Sequence, residues 1–461
     1  MYHYRFSLMK SDSPHILLVN PWIHDFAAYD YWARPMGLAL LAAILRNHGY
    51  KVSYIDCLDR FHPDAGHSEL SLRCGRGPYL KTRIPKPEGL RHIPRHFCRY
   101  GILPEWFAKD LQAVDKPDLI LLTSLMTYWY PGVQETIAHI RKIFPDVPLV
   151  LGGIYATLCH EHACKHSGAD EVISGDGLKE ILGIAERYTG FSASAKFDPS
   201  DMDTWPFPAW DLQRQIPFVP LLTSMGCPFS CAYCASRFLE PVRMVRSPEH
   251  VVSEILHWHR ACGVRDFAFY DDALLINAKN HAIPMLEGII RSGLPLRFHT
   301  PNAVHIREIT PETAKLMFQS GFKTLRLGLE TTAFEERNTL DRKVTEEEFC
   351  RAAAYLREAG FDQKQVGAYL LVGLPHQSLE AVESSILTVK QNGLTPVPTY
   401  YTPIPHTALW KEAVAVSPYD LEADPVFANN ALFPCMTEGF SWKIITRLKD
   451  LVMDSHNMRD I

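Results

Sequence analysis

Residues Ser224–Met225–Gly226–Cys227–Pro228–Phe229–Ser230–Cys231–Ala232–Tyr233–Cys234 decide how the rest of the chain is read. Three cysteines stand there in C-x3-C-x2-C spacing, directly after the apolar run 219–223, which reads as a buried strand. The chain has 11 cysteines in 461 residues. An odd count without a secretion-type leader argues against a disulfide framework. The other eight (Cys57, Cys74, Cys98, Cys159, Cys164, Cys262, Cys350 and Cys435) are scattered and suit small buried hydrophobes. Three thiolates on one tight loop can hold three irons of a cubane cluster and leave the fourth iron open. Zinc is the structural rival, but a closed zinc site takes a fourth ligand. The nearest downstream histidines, His250, His257 and His259, fall on a predicted helix.

Outward from this loop, a regular repeat runs toward the C-terminus. Strands are expected at 219–223, 267–270, 296–299, 325–329, 366–372 and 397–402, with a helix in each interval. Ser247–Pro248 supplies an N-cap and a first-turn proline, and Thr345–Glu346–Glu347–Glu348 is a capping box closed at Gly360. Six strands with five helices suit a partial (β/α)6 barrel of the TIM type, with its chemistry at the C-terminal mouth. Toward the N-terminus a different alternation appears. Strands at 15–20, 52–55, 118–123, 147–151 and 169–173 end in Gly, Ser, Pro or other polar residues and alternate with helices at 36–48 and 133–144. That pattern predicts a doubly wound parallel sheet, whose ligands lie at the C-terminal strand ends. The fold class is therefore α/β, a doubly wound sheet followed by a partial barrel and a small C-terminal extension.

Composition sets outer limits. Lys and Arg number 47 against 52 Asp and Glu, a formal charge of -5, which excludes a generally basic nucleic-acid binder. The most apolar run, Leu119 to Met126, is too short to span a bilayer, and Met1–Tyr2–His3–Tyr4–Arg5 lacks a signal-peptide layout, so a cytoplasmic location is expected. Between Arg60 and Tyr100 nine Lys or Arg face three Asp or Glu. That stretch reads as a solvated loop, or as a lid for an anionic ligand.

The cysteine loop resembles the signature of the radical S-adenosylmethionine (radical SAM) enzymes, and the resemblance extends over roughly 218–410. It implies a [4Fe-4S] cluster on Cys227, Cys231 and Cys234, with S-adenosylmethionine (SAM) on the open iron. Tyr233 matches the aromatic position near the adenine. Tyr270–Asp271–Asp272 is similar to the turn that receives the SAM amino group, with the choice between the two aspartates open. Gly328–Leu329–Glu330–Thr331 is similar to the turn near the ribose and carboxylate. Gly373–Leu374–Pro375 and Pro403–Ile404–Pro405 also look like family turns. The resemblance implies reductive cleavage of SAM to a 5′-deoxyadenosyl radical, served by a one-electron donor of the flavodoxin or ferredoxin kind. His299, Asn302, His305, Tyr400 and Tyr401 are further residues that can face a small-molecule substrate. The tail beyond Trp410 either caps the barrel bottom or closes the substrate side.

The N-terminal sheet looks like the cobalamin-binding (B12-binding) domain of a radical SAM subgroup. Asn20–Pro21, Pro35–Met36–Gly37–Leu38, Gly152–Gly153 and Gly175–Asp176–Gly177 are the matching pieces, with small residues that let a corrin approach the backbone. The cobalt is then expected to face the barrel mouth near Thr123, Ser124 and Thr127. The Asp-x-His-x-x-Gly motif that supplies an axial histidine in many cobalamin proteins is absent. The expected domains are 1–195, B12-binding-like, with a basic insertion at 60–110; a linker at 196–215; the barrel at 216–410; and an extension at 411–461. The function so implied is cobalamin-dependent methylation of an unactivated carbon. The alternatives are a cobalamin-independent radical SAM enzyme, catalysing a rearrangement or oxidation, and a non-catalytic iron–sulfur sensor.

Overall fold

The computed structural model describes residues 13–66, 72–338, 340–436 and 442–453. The chain forms two compact units, Met1–Leu72 with Arg76–Ile216, and Pro217–Ile461 with the short piece Arg73–Gly75.

In the first unit the run HILLVN forms β1 (His15–Asn20), buried along its whole length. Burial on both faces is what a parallel sheet requires of its strands. It pairs in parallel with β2 (Lys51–Asp56) and β3 (Leu119–Leu122), and β4 (Leu149–Leu151) and β5 (Glu171–Val172) follow outward. The order β2-β1-β3-β4-β5 places a topological switch point between β1 and β3, so a crevice opens beyond Asn20 and Leu122. Helices α1 (Met36–Asn47) and α2 (Tyr130–Ile143) bury Leu38, Leu45, Val133, Ile137 and Ile140.

The basic insertion is more ordered than a solvated loop. Cys98–Tyr100 is the central strand of a three-stranded antiparallel sheet between Ile23–Asp25 and Lys81–Arg83. Ile23, Leu58, Tyr79, Cys98 and Tyr100 give that sheet its own apolar cluster. The helix Pro104–Gln112 sends Phe107 and Leu111 into the main core. Among these residues Arg73–Gly75 belongs with the second unit instead, where Gly75 lies against the Pro217 carbonyl. The stretch expected as a linker is packed too. Trp205 and Trp210 are buried, and the Ala209 amide donates to the Ala39 carbonyl at 2.9 Å.

The second unit contains six parallel strands in sequence order: β6 (Val219–Leu221), β7 (Asp266–Phe269), β8 (Arg297–His299), β9 (Phe322–Glu330), β10 (Val366–Val372) and β11 (Thr395–Tyr400). Among the described residues nothing pairs β6 with β11, so the barrel is partial. The intervening helices are α3 (Pro248–Cys262), α4 (Ala282–Arg291), α5 (Pro311–Ser320), α6 (Glu346–Ala359) and α7 (Leu379–Gln391). Ser247 caps α3 and a capping box at Thr345 and Glu348 opens α6, as their sequences predict. Phe267, Phe269, Phe298 and Phe322 stack with centroids 5.6–5.8 Å apart. The alternate residues Asp266 and His299 meet at 3.0 Å, and His299 also meets Thr324 at 3.1 Å. The C-terminal tail returns to the mouth of the barrel, where Met436 lies within contact reach of Gly373 beyond β10.

Candidate functional site

The β6 strand ends at the cysteine loop, and hydrogen bonds from two other loops hold that loop. The Ala232 amide donates to the Leu340 carbonyl at 2.7 Å, and the Ala232 carbonyl accepts from the Leu409 amide at 2.9 Å. Gly226 has φ +76, and a Cβ there would come within 3.0–3.1 Å of the Val242 and Glu240 carbonyls. A larger residue would therefore disturb the turn into Cys227.

Cys227, Cys231 and Cys234 line one cavity of about 280 Å3 at the barrel mouth, together with Asp272, His305 and Lys343. Each thiol has a polar neighbour. His305 Nε2 is 3.7 Å from Cys227 Sγ, and the Ser236 amide donates to Cys234 Sγ at 3.4 Å. Lys343 lines the same cavity as Cys231 and donates to the Tyr233 hydroxyl at 3.0 Å. Burial pushes the Cys231 thiol up to about 11 and raises that of Cys227. Both thiols hold their protons until a metal replaces them. Burial, reinforced by Lys343, holds the His305 imidazole down at about 3, so it is neutral.

The donor set and its spacing fit a cubane better than zinc. A tetrahedral zinc with Zn–S near 2.3 Å holds its sulfurs about 3.8 Å apart. Among the described residues, the one trio of Cys, His, Asp or Glu ligand atoms within 4.8 Å of one another is Cys74, Asp266 and His299. The three loop thiols are therefore spread more widely than one zinc ion would hold them. The Cys74 trio is itself engaged, because Arg297 Nε donates to Asp266 at 2.8 Å and His299 bonds the same carboxylate. His250, the nearest histidine downstream of the cysteines, bonds Arg246 and Ser247 instead.

The remaining expected SAM residues separate into two groups. Asp272 lies on the cavity, and burial raises its carboxyl while Ser236 draws it back. Asp271 is turned away. Its carboxylate accepts from Thr223 Oγ1 at 2.6 Å, Ser224 Oγ at 2.8 Å and the Thr223 amide at 3.2 Å, so it binds β7 to β6. Glu330 has φ 64 at the end of β9, and its carboxylate lies 3.8 Å from Lys343 behind Gly328, which lines the cavity. Tyr233 is covered by Lys343, whose Nζ sits 5.4 Å from the ring centroid. Gly373 (φ +93) is the turn after β10, its amide donating to Gln377 Oε1 at 2.7 Å, and Pro403 is buried after β11.

Of the residues read as substrate-facing, Asn302 and His305 line the cavity. His299 is fully buried in its bonds to Asp266 and Thr324, and Tyr401 is buried against Cys435 and Leu421. Lys343, Ser236 and Tyr369 also line the cavity, and sequence reading missed them. Ser236 follows the third cysteine closely enough to have been considered. Nothing marks Lys343 among the chain's other lysines until the loop before α6 folds back onto the cysteines.

In the first unit, the ends of β3, β4 and β5 form one rim. Gly153 has φ +95, and a Cβ there would lie 2.3 Å from the Ser124 carbonyl oxygen and 3.1 Å from Thr123 Oγ1. Ser124 is buried and donates to the Gly152 carbonyl at 2.7 Å. The Gly175 amide donates to Thr157 Oγ1 at 3.1 Å, and Asp176 caps the following helix. Gly152 and Gly175 face open space. Ile154 follows Gly153 and Met126 lies two residues after Ser124, both exposed apolar side chains. Bare backbone flanked by apolar groups is a cradle suited to a flat, largely apolar ligand such as a corrin. Pro21 is buried at the switch point.

The radical SAM superfamily model matches residues 221–389, and the B12 binding domain model matches residues 99–182. The chain thus carries a B12-binding domain followed by a radical SAM domain. An uncharacterized methyltransferase of Pyrococcus horikoshii is 27% identical over 337 residues, covering 67% of this chain and 72% of that protein. The cytidylyl-2-hydroxyethylphosphonate methyltransferase of Streptomyces wedmorensis is 22% identical over 492 residues, covering 92% of this chain and 82% of that protein. The radical SAM methyltransferase TsrM of Kitasatospora setae, solved with cobalamin and a [4Fe-4S] cluster bound, shares the fold. Its TM-score is 0.64 at 17% identity, over 88% of this chain and 76% of TsrM. No helix among the described residues is long and apolar enough to cross a membrane.

Proposed function

We propose that this protein is a cobalamin-dependent radical SAM methyltransferase acting on an unactivated carbon of a small molecule. The observation that carries the reading is the meeting of three thiols, Asp272 and Lys343 on one cavity at the barrel mouth. When bound, a [4Fe-4S] cluster with one open iron supplies one-electron cleavage of SAM, and cobalamin supplies a methyl group. Cys227, Cys231 and Cys234 hold the cluster. Asp272 accepts hydrogen bonds from the SAM ammonium, Gly328 leaves room for the ribose, and Glu330, Gly373 and Pro403 shape the surrounding wall. Tyr233 packs toward the adenine.

The rim of Pro21, Thr123, Ser124, Gly152, Gly153 and Gly175 would hold cobalamin by shape. The division into 1–195, 196–215, 216–410 and 411–461, a cytoplasmic location and a flavodoxin- or ferredoxin-type donor belong to the same reading. The test is anaerobic reconstitution with iron, sulfide and hydroxocobalamin, followed by gel filtration and analysis of SAM products. Expected are retained corrin absorbance and 5′-deoxyadenosine formed on adding reductant. Loss of the corrin with 5′-deoxyadenosine still formed would favour a cobalamin-independent enzyme. Cluster without SAM cleavage would favour a sensor.

A further inference from the structure

The loop between β9 and α6 is built to deliver one side chain. Arg337 is buried and clamps the loop, with Nη1 donating to the Thr331 carbonyl at 2.6 Å and Nη2 to Asp341 Oδ2 at 2.7 Å. Asp341 in turn accepts from the Lys343 amide at 3.1 Å, and the Leu340 carbonyl binds Ala232 inside the cysteine loop. So anchored, Lys343 has a side chain only 13% exposed. Its ammonium lines the cavity of the three thiols and meets the Tyr233 hydroxyl at 3.0 Å and Glu330 at 3.8 Å. Two of the thiols are met by the amide and hydroxyl of Ser236 at Cys234 and by the imidazole of His305 at Cys227.

Hydrogen bonds to cluster sulfurs and nearby charge are among the protein's means of setting a cluster's reduction potential. We propose that Lys343 is a positioning residue that raises the reduction potential of the cluster, by placing a fixed positive charge on the cavity that the three thiolates line. The inference rests on the cluster assignment made above. Reduction adds one electron from an external one-electron donor, with no proton taken up and no bond broken. The added negative charge is offset by an ammonium already in place, whose burial weakens solvent screening of the attraction. Lys343 also ties Glu330 to the cysteine loop, so the same cation stabilises two anionic groups of the site.

The experiment is dithionite potentiometry of the SAM-free, anaerobically reconstituted full chain, read by the electron paramagnetic resonance signal of the reduced cluster. Wild type, Lys343→Met and Lys343→Arg are compared at equal iron content. At a fixed ambient potential, Lys343→Met is expected to lower the reduced-to-oxidised ratio about tenfold, equivalent to about 59 mV for one electron. Lys343→Arg should restore most of it, which a purely structural role for the lysine would not require. An unchanged ratio in Lys343→Met with a full cluster overturns the proposal. If that variant takes up no iron, Lys343→Gln is measured instead, with the same two outcomes. A wild-type chain that builds no [4Fe-4S] cluster would overturn the functional reading itself, a result separable from an unchanged potential.

Discussion

The two parallel sheets of this protein expose their C-terminal strand ends in contrasting ways. At the barrel mouth the exposed groups are side chains with chemistry of their own: three thiols, a carboxylate, an imidazole and an ammonium. At the N-terminal rim the exposed groups are backbone and apolar surface, with Gly152 and Gly175 facing open space and the Ser124 hydroxyl turned inward to brace the next turn. The first arrangement grips a ligand by bonds. The second accepts one by leaving room. The difference teaches that the two cofactors proposed here depend on different kinds of residue, so their loss should follow from different mutations.

The largest effect tests the bonding side. Cys231→Ala should abolish iron uptake and SAM cleavage while leaving cobalamin retention intact, as measured by iron content and corrin absorbance after gel filtration. If cobalamin is lost as well, the two sites are not independent and the contrast fails. The next tests the side that works by space. Gly153→Ala would put a methyl 2.3 Å from the Ser124 oxygen at a positive φ. It should cost more than about 1 kcal/mol of stability and reduce cobalamin retention without lowering iron content. Gly152→Trp, which starts from open space, should leave stability within about 0.5 kcal/mol yet still block cobalamin. Thermal melting separates these two modes of failure.

A third comparison sharpens the bonding side. Asp272→Asn should weaken SAM binding about tenfold, equivalent to about 1.4 kcal/mol, with the melting temperature nearly unchanged. Asp271→Ala should act in the opposite sense on the two measurements, because it leaves the Thr223 and Ser224 groups unpaired, at a cost of about 1–3 kcal/mol in stability. Equal SAM affinities in wild type and Asp272→Asn would remove that carboxylate from the binding site.

The smallest effect is a pH dependence below the mouth. Burial acts to raise the Asp266 carboxyl, but hydrogen bonds from His299 and Arg297 outweigh it and hold the group below its ordinary value. A depressed carboxyl contributes stability that is present above the unfolded-state value near 3.9 and is lost as pH falls through the folded one. Asp266→Asn should therefore lower stability slightly at pH 7, with the gap narrowing as pH falls below about 4. Denaturant melts at the two pH values check this. A gap that persists in acid would assign the effect to packing.

Much of this contrast is already visible in the chain. The spacing of Cys227, Cys231 and Cys234 is legible because ligand chemistry demands particular atoms at close intervals. The alternation of six strands and five helices is legible because each element buries one periodic face. The rim was harder to read: Gly152, Gly153 and Gly175 are ordinary turn residues until the strand ends come together. The insertion misled as well. Its charge suggested a loop or lid, while Cys98–Tyr100 in fact pairs with the distant Ile23–Asp25 to make a small sheet. Such pairing between far-apart segments leaves no local period.

By itself the sequence determined the α/β class, the order of the two sheets and the identity of the three thiols, because these follow from local spacing and periodic burial. Only the tertiary structure decided that Asp272 meets the cavity and Asp271 braces the end of β6, since the Thr223 and Ser224 groups that capture Asp271 come from a different strand end. It also placed Lys343 beside Cys231, 112 positions earlier in the chain. A contact of that kind depends on where the loop before α6 is anchored by Arg337 and Asp341, and such anchoring appears only once the chain has folded.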